Sequence, residues 1–151
     1  MPTSTWRYCA GCHGMFYDAD PNKGHCPAGG GHQAAGYYFV VPYNKVVSPV
    51  GQIHWRVCHN CRGMFYDGYP DKGHCAAGGG HVANGPDILL NHNVPATVTQ
   101  QPDWRYCSQC HGLFYDGYPN KGHCPAGGGH LAQGLNFVLA HAPDGSHVQF
   151  D

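Results

Sequence analysis

The sequence contains no glutamate, and its acidic groups are few. All nine acidic residues of the 151-residue chain are aspartate, and charged residues make up only 11% of it. Zinc deaminases and the zinc hydrolases with a His-Glu-x2-His motif use a glutamate as general base. The chain also has no Walker loop and no Gly-x-Ser-x-Gly elbow. These absences predict that the protein is not an enzyme.

Aliphatic residues are scarce as well. Ile, Leu and Val number 2, 6 and 11 in the whole chain. A chain so poor in aliphatic residues usually needs a disulfide or a metal ion to stabilise its fold. The longest apolar run is Tyr37–Val41, which is too short to cross a membrane. No signal peptide is visible at the start of the sequence.

Strong helix formers are rare, because glutamate is absent and lysine is infrequent. Glycine and proline, with 23 and 12 residues, are abundant and favour turns. We therefore predict an all-β fold with little or no helix. The formal net charge is −1, whereas nucleic-acid-binding proteins normally carry a basic face. This balance argues against nucleic acid as a partner.

What the chain does contain is an internal repeat with a period of 49 residues, marked by Trp6, Trp55 and Trp104. It predicts three modules, residues 1–49, 50–98 and 99–151. The first 27 residues from each tryptophan are nearly identical: the first and third copies differ at 5 of 27 positions. The connectors 33–54 and 82–103 agree at only four positions but have equal length. Equal length predicts that the connectors pack against the modules.

Each copy carries the pattern Cys-x2-Cys-x13-Cys-x5-His. Three cysteines and one histidine are a standard closed ligand set for structural zinc, so we predict three Zn²⁺ ions per chain. The three consecutive glycines before the histidine allow the positive backbone angles that a returning loop needs. The predicted ligands are Cys9, Cys12, Cys26 and His32; Cys58, Cys61, Cys75 and His81; and Cys107, Cys110, Cys124 and His130.

Other uses of these cysteines are open at this point. Disulfides would leave an odd thiol in every copy, and an iron–sulfur cluster also accepts cysteine and histidine ligands. The first and third copies read Cys-x2-Cys-His, which is the attachment signature of c-type haem, but the second copy has Arg62 in place of the histidine. A second histidine precedes the third cysteine of each copy and rivals the assigned ligand. These rivals are His25, His74 and His123.

Short strands are predicted around each metal site. In the first copy, Trp6–Tyr8 and Gly14–Tyr17 form a hairpin, so that each module resembles a zinc ribbon. An apolar triplet in each connector predicts a further strand after a glycine turn at position 36, 85 or 134. These triplets are Phe39–Val41, Ile88–Leu90 and Phe137–Leu139. The modules either pack around a pseudo-threefold axis or run along a line; stacked neighbours would bury what one copy cannot.

Several residues that are not predicted ligands recur in all three copies. In one interpretation they are structural, with tryptophan in each small core and arginine paired to aspartate. In the other, aromatic and polar groups line three equivalent binding sites. The candidate ligand-binding residues are Trp6, Tyr17, Asp18 and Lys23; Trp55, Tyr66, Asp67 and Lys72; and Trp104, Tyr115, Asp116 and Lys121.

The stretch from Cys-x2-Cys-x2-Met/Leu-Phe-Tyr to Cys-Pro-Ala-Gly-Gly-Gly-His resembles uncharacterised microbial tandem-repeat proteins with a Cys-x2-Cys and Cys-Pro-Ala-Gly-Gly-x-His zinc-binding signature. The resemblance covers the three 27-residue cores but not the connectors. It implies a repeated zinc site and no particular activity. The second copy departs from the signature at Ala76, where the others have Pro27 and Pro125.

The leading hypothesis for function is a non-enzymatic, zinc-stabilised structural scaffold that assembles with itself into an oligomer or a filament. The alternative is a lectin-like protein that binds glycans at several equivalent sites. Nucleic-acid binding through Arg7, Lys23 and their repeats is a third hypothesis. Nine thiols held as metal ligands favour the cytoplasm slightly over a secreted location.

Overall fold

The computed structural model describes residues 6–19, 21–43, 48–92 and 94–141. None of these residues lies in a helix, so the all-β prediction is confirmed. No helix long and apolar enough to span a membrane occurs in this part of the chain. The nine strands are β1 (Trp6–Cys9), β2 (Met15–Tyr17), β3 (Ala34–Val40), β4 (Gly51–Cys58), β5 (Met64–Tyr66), β6 (Ala83–Asn91), β7 (Gln100–Cys107), β8 (Leu113–Tyr115) and β9 (Ala132–His141).

Each copy contributes three antiparallel strands, and its first strand is the central one. In the first copy, Trp6 on β1 lies opposite Tyr17 on β2 and opposite Phe39 on β3. The same pairs recur as Trp55 with Tyr66 and Ile88, and as Trp104 with Tyr115 and Phe137. The predicted hairpin is therefore present, and the connector supplies its third strand.

The glycine of each connector lies inside a strand, and the prediction of a preceding turn is wrong. Strand β3 begins at Ala34, two residues before Gly36. Arg7 pairs with Tyr38 and Tyr8 pairs with Ala35, so Gly36 and Tyr37 form a bulge. Gly36 has a φ of 74°, which glycine adopts without the steric cost of a Cβ. The chain keeps its direction through the bulge instead of reversing.

The three copies close into a ring. Backbone bridges join Tyr43 of the first copy to Ile88 of the second, and His92 of the second to Phe137 of the third. The third copy returns to the first through β9, where His141 pairs with Phe39. The contacts between the short strands follow the same cycle. The amides of Tyr17, Tyr66 and Tyr115 donate to the carbonyls of Arg62, His111 and His13, respectively.

This cyclic pattern decides between the two arrangements that the sequence left open. A linear row would leave the third copy without the partner that the first two have, whereas every copy here contacts both others. The described modules are therefore related by a pseudo-threefold axis. The nine strands form a six-stranded sheet, β2-β1-β3-β9-β7-β8, and a three-stranded sheet, β5-β4-β6.

One shared core lies between the modules. All three tryptophans are at most 1% exposed, and they pack together with side chains from every copy. Because the modules share this core, each buries apolar surface that it could not bury alone. The other members of the core are Met15, Phe39, Val41, Met64, Ile88, Leu90, Leu113, Phe137 and Leu139.

Candidate metal centres

A tight turn at the end of each central strand presents the first two cysteines. In the first copy β1 ends at Cys9, and the amide of Cys9 donates to the carbonyl of Gly14 at 2.9 Å. The amide of His13 donates back to the Cys9 carbonyl at 2.8 Å, and His13 has a φ of 69°. The turn thereby places the thiols of Cys9 and Cys12 on one side of the hairpin.

The glycine-rich loop returns the other two predicted ligands. The amide of Cys26 donates to the carbonyl of Gly30, and the amide of Gly29 donates to the carbonyl of Cys26, at 2.8 and 2.9 Å. Gly29 and Gly30 have φ angles of 111° and 67°, which side-chain-bearing residues rarely adopt. The loop therefore reverses within a few residues and brings His32 back towards Cys12.

The structure brings the four predicted ligands of each copy together, one nitrogen or sulfur atom from each lying within 4.8 Å of the others. In the first copy, the Sγ atoms of Cys9 and Cys26 are 3.7 Å apart, and Cys12 Sγ lies 3.6 Å from His32 Nδ1. A disulfide requires sulfur atoms about 2.05 Å apart, so these thiols are not paired with one another. All four residues are buried.

Backbone amides point at the sulfur atoms. Cys9 Sγ accepts from the amide of Gln33 and Cys12 Sγ accepts from the amide of Gly14, both at 3.4 Å. Hydrogen bonds to a sulfur atom favour its ionised form. The second and third copies repeat these contacts, for example between Gly63 and Cys61 at 3.4 Å. Each loop is therefore shaped to hold thiolates.

Three thiols in contact cannot all ionise without a compensating cation. The hydrogen bond from Cys12 lowers the pKa of Cys9 to about 3. Contact with Cys26 and Cys9, together with burial, raises the pKa of Cys12 well above its usual value. Burial opposes protonation of His81, but its contacts with Cys58 and Cys75 raise its pKa to about 9. A bound cation would replace these shared protons and allow all three sulfur atoms to be thiolates.

The second nitrogen of each predicted histidine ligand contacts the next module. His32 Nε2 lies 2.9 Å from the backbone carbonyl of Cys61, and its ring stacks on Phe16 with centroids 4.8 Å apart. A carbonyl accepts only, so Nε2 carries the proton and Nδ1 is free to bind a metal. His81 contacts Cys110 and His130 contacts Cys12 in the same way, at 2.9 and 3.0 Å. The three clusters are thus linked in a closed cycle.

The rival histidines lie outside the clusters. His25 Nδ1 contacts the carbonyl of Asn60 at 3.2 Å, and His74 and His123 contact the carbonyls of Gln109 and Gly11. The groups of four that converge in the described part of the chain contain none of these three residues. The rival histidines instead help to join neighbouring modules.

The candidate ligand-binding residues do not form one site in each copy. The tryptophans are buried in the core. Asp18 forms ion pairs with Lys23 at 2.7 Å and with Arg7 at 3.9 Å, and Asp67 and Asp116 pair with Lys72 and Lys121 at 2.8 Å. Arg7 also donates to the carbonyls of the bulge residues Gly36 and Tyr37, both at 3.1 Å. These charged groups therefore form ion pairs and hydrogen bonds within their own module.

Tyr66 and Tyr115 are different, because each lines a cleft between two modules. Other residues of these clefts, such as Tyr8, Tyr69, Tyr106 and Tyr118, were not among the sequence candidates. The signal was present in the sequence as a difference between copies, since the second and third copies read Asp-Gly-Tyr-Pro where the first reads Asp-Ala-Asp-Pro. These positions are not identical in all three copies, unlike the sequence candidates.

No family model, no curated protein and no solved structure matches this chain. The resemblance to microbial tandem-repeat proteins therefore depends on the signature alone, and the function has to be argued from the clusters and surfaces of the molecule itself.

Proposed function

We propose that the chain is a non-enzymatic, zinc-stabilised scaffold that holds one Zn²⁺ in each cluster. The distances within the clusters carry this proposal. With zinc–sulfur bonds of about 2.3 Å and zinc–nitrogen bonds of about 2.05 Å, a tetrahedral site has sulfur atoms about 3.8 Å apart and sulfur and nitrogen about 3.6 Å apart. The Sγ pairs lie 3.7, 3.7 and 3.8 Å apart, and each Sγ to Nδ1 distance is 3.6 Å.

The donor set also favours a structural role over a catalytic one. A catalytic zinc site keeps one coordination position for water or substrate, whereas these clusters offer four protein donors. The clusters are buried, and the histidine proton is held by a backbone carbonyl in the way that typically orients metal ligands. Zinc would stabilise a fold whose aliphatic core is small.

Elemental analysis of the purified protein, combined with an absorption spectrum, tests the proposal. We expect three zinc ions per chain and no visible band. Iron with a visible band would instead indicate iron–sulfur or haem chemistry, and the scaffold proposal would fall. Cobalt substitution adds a geometric check, because tetrahedral Co²⁺ with three thiolates gives strong visible absorption and charge-transfer bands that octahedral cobalt lacks.

Self-assembly of this chain has to use surfaces other than the contacts between its own modules. A head-to-tail contact produces a filament only when it does not close, and the contact between neighbouring copies closes within the chain. Exposed apolar residues such as Val82 and Leu131, which are 48% and 54% exposed, remain as assembly surfaces. Light scattering coupled to size exclusion, together with negative-stain microscopy, tests this idea, and a clean monomer at high concentration would refute it.

Glycan binding is a second candidate, favoured by the two clefts that contain Tyr66 and Tyr115. Each cleft combines tyrosine rings with a glutamine side chain. Aromatic faces pack against the C–H faces of sugar rings, while hydroxyl and amide groups bond to sugar hydroxyls. A glycan array probed with zinc-loaded protein tests this function, and an empty array would count against it.

A further inference from the structure

The first cleft lies between the third module and the first. The third module contributes Gln101, Tyr115 and Tyr118 to its lining. The first module contributes Tyr8 and the bulge residue Tyr37 on the opposite side. The rings of Tyr8 and Tyr115 meet edge to face with centroids 6.2 Å apart, and Tyr118 lies 6.3 Å from Tyr8. Four tyrosines from two modules therefore line a cavity of about 280 Å³.

The second cleft repeats this arrangement between the second module and the third. Gln52, Tyr66 and Tyr69 correspond to Gln101, Tyr115 and Tyr118, and Tyr106 corresponds to Tyr8. Tyr66 and Tyr106 also meet edge to face at 6.2 Å. The cavity measures about 370 Å³. Leu135 takes the bulge position that Tyr37 has in the first cleft, so the two clefts share three tyrosines and differ at one wall.

The third interface, between the first module and the second, lacks this set. Val57 stands at the position of Tyr8 and Tyr106, and the sequence has Asp20, which lies outside the described residues, where the other copies have tyrosine. The glutamine is missing as well, since Thr3 takes its place in the sequence. The indole of Trp6 donates instead to the hydroxyl of Tyr43, at 3.2 Å.

A glycine accompanies the tyrosines of the two clefts. A Cβ at Gly68 would collide with the ring and hydroxyl of Tyr66, and a Cβ at Gly117 would collide with those of Tyr115. The first module has Ala19 at this position. The glycines thus allow a tyrosine ring to lie against the backbone beside the cleft, and they occur only in the two copies that carry the additional tyrosine.

The glutamines supply a hydrogen-bond donor to each cleft. The carboxamide oxygens of Gln52 and Gln101 accept from the buried indoles of Trp55 and Trp104, both at 2.9 Å. Because the oxygens are used in this way, the NH₂ groups are the part of each carboxamide that can donate to a ligand. The other polar side chains on the walls are tyrosines and, in the second cleft, Gln133. Among the described residues that line the two clefts, none is charged.

We propose that these two clefts, and not the third interface, bind neutral saccharides, so that one chain carries two glycan sites. This inference rests on the glycan-binding function proposed above and adds its location, stoichiometry and charge preference. A pyranose ring has one apolar C–H face and several hydroxyl groups, and a wall of tyrosine rings with hydroxyl and amide donors is complementary to both. A carboxylated or sulfated sugar would find no cationic partner among the described residues that line the clefts.

A nuclear magnetic resonance titration of zinc-loaded protein tests the inference, because one glycine of each interface serves as a reporter. The probes are glucose, galactose, mannose, N-acetylglucosamine, and the disaccharides cellobiose, lactose and chitobiose. The amide signals of Gly36 and Gly134 report on the two clefts, and Gly85 reports on the third interface. We expect the first two signals to shift with at least one probe and the signal of Gly85 to stay in place.

Single substitutions separate the two sites. Tyr118→Ala should abolish the shift of Gly36 and leave that of Gly134, and Tyr69→Ala should do the reverse. Both tyrosines are 50% exposed, so that the substitutions leave the core intact. Val98→Ala, at a 92% exposed position that lines neither cleft, is the control and should retain both shifts.

The outcomes distinguish the location from the function. If glycans bind on the array but the signals of Gly36 and Gly134 stay in place, or if Gly85 shifts with them, the two-cleft inference is wrong while glycan binding stands. If no probe binds in the titration and the array is empty, glycan binding itself is wrong. Shifts that survive both tyrosine substitutions would also overturn the inference.

Discussion

At the scale of single residues, the sequence has two candidate histidine ligands for each metal site, and the structure places only one of them in the cluster. The ring nitrogens of His81 face the thiol of Cys61 at 3.6 Å and the carbonyl of Cys110 at 2.9 Å. The ring of His74 instead contacts the carbonyl of Gln109 through Nδ1, at 3.0 Å. A ligand and a bridging residue can therefore be told apart by substitution.

We predict that His81→Ala reduces the zinc content from three ions to two, because a buried site of three thiolates loses its fourth donor. His74→Ala is the matched control. It should keep three ions and lower the free energy of unfolding by about 1 kcal/mol, the usual worth of one hydrogen bond. Elemental analysis and urea unfolding of both variants provide the measurements. Loss of zinc from His74→Ala but not from His81→Ala would reverse the ligand assignment.

At the scale of loops and strands, close contacts between modules depend on glycines with positive φ. Gly73 has a φ of 70°, and a Cβ there would collide with the carbonyl of Cys110 in the next module. Gly79 has a similar φ of 66°, but a Cβ there would meet no atom within 4 Å. An alanine would meet similar backbone strain at both positions. Only at Gly73 would its side chain also collide with the neighbouring module.

We predict that Gly79→Ala costs about 1–2 kcal/mol of unfolding free energy, which is the strain of a left-handed conformation. Gly73→Ala should cost about 1–3 kcal/mol more than that, because the added methyl group forces the second module away from the third. Urea unfolding of the zinc-loaded variants measures the difference. Equal losses for both variants would mean that the contact between Gly73 and the next module contributes nothing to stability.

The elements also show where prediction from sequence ends. The metal loops could be predicted because Cys9, Cys12, Cys26 and His32 are close in sequence and their spacing has few interpretations. The closure of the ring could not, since it depends on pairs such as Phe39 with His141, which are 102 positions apart in the numbering. The turn predicted at Gly36 is a bulge in the structure. A glycine with positive φ occurs in both, and only pairing with the neighbouring strand distinguishes them.

At the scale of the whole molecule, the cycle of histidine-to-carbonyl contacts gives the ring a direction. The Nε2 atom of each metal-site histidine contacts a backbone carbonyl in the next module. His32 contacts Cys61 of the second module, His81 contacts Cys110 of the third, and His130 contacts Cys12 of the first. A disturbance in the turn of one module should therefore reach the metal site of the preceding module first.

We predict that Cys61→Ser releases the zinc of the second module and weakens the site of the first module more than that of the third. The carbonyl of residue 61 orients His32, and loss of such an outer contact typically lowers metal affinity about 10–100-fold. The third module keeps its own contact, from His130 to Cys12. Competition with a chromophoric chelator should therefore show one fast and one slow ion among the two that remain.

The assignment of the fast ion to its site requires a residue-specific signal. Long-range ¹H–¹⁵N spectra of the histidine rings provide it, since a metal-bound Nδ1 and a protonated Nε2 have separate shifts. As chelator is added to the Cys61→Ser variant, the signals of His32 should change before those of His130. Simultaneous loss at both sites would mean that the ring loosens as one unit, and earlier loss at His130 would mean that coupling runs in the opposite direction. Only loss at His32 first follows from a ring in which each module orients the metal ligand of the one before it.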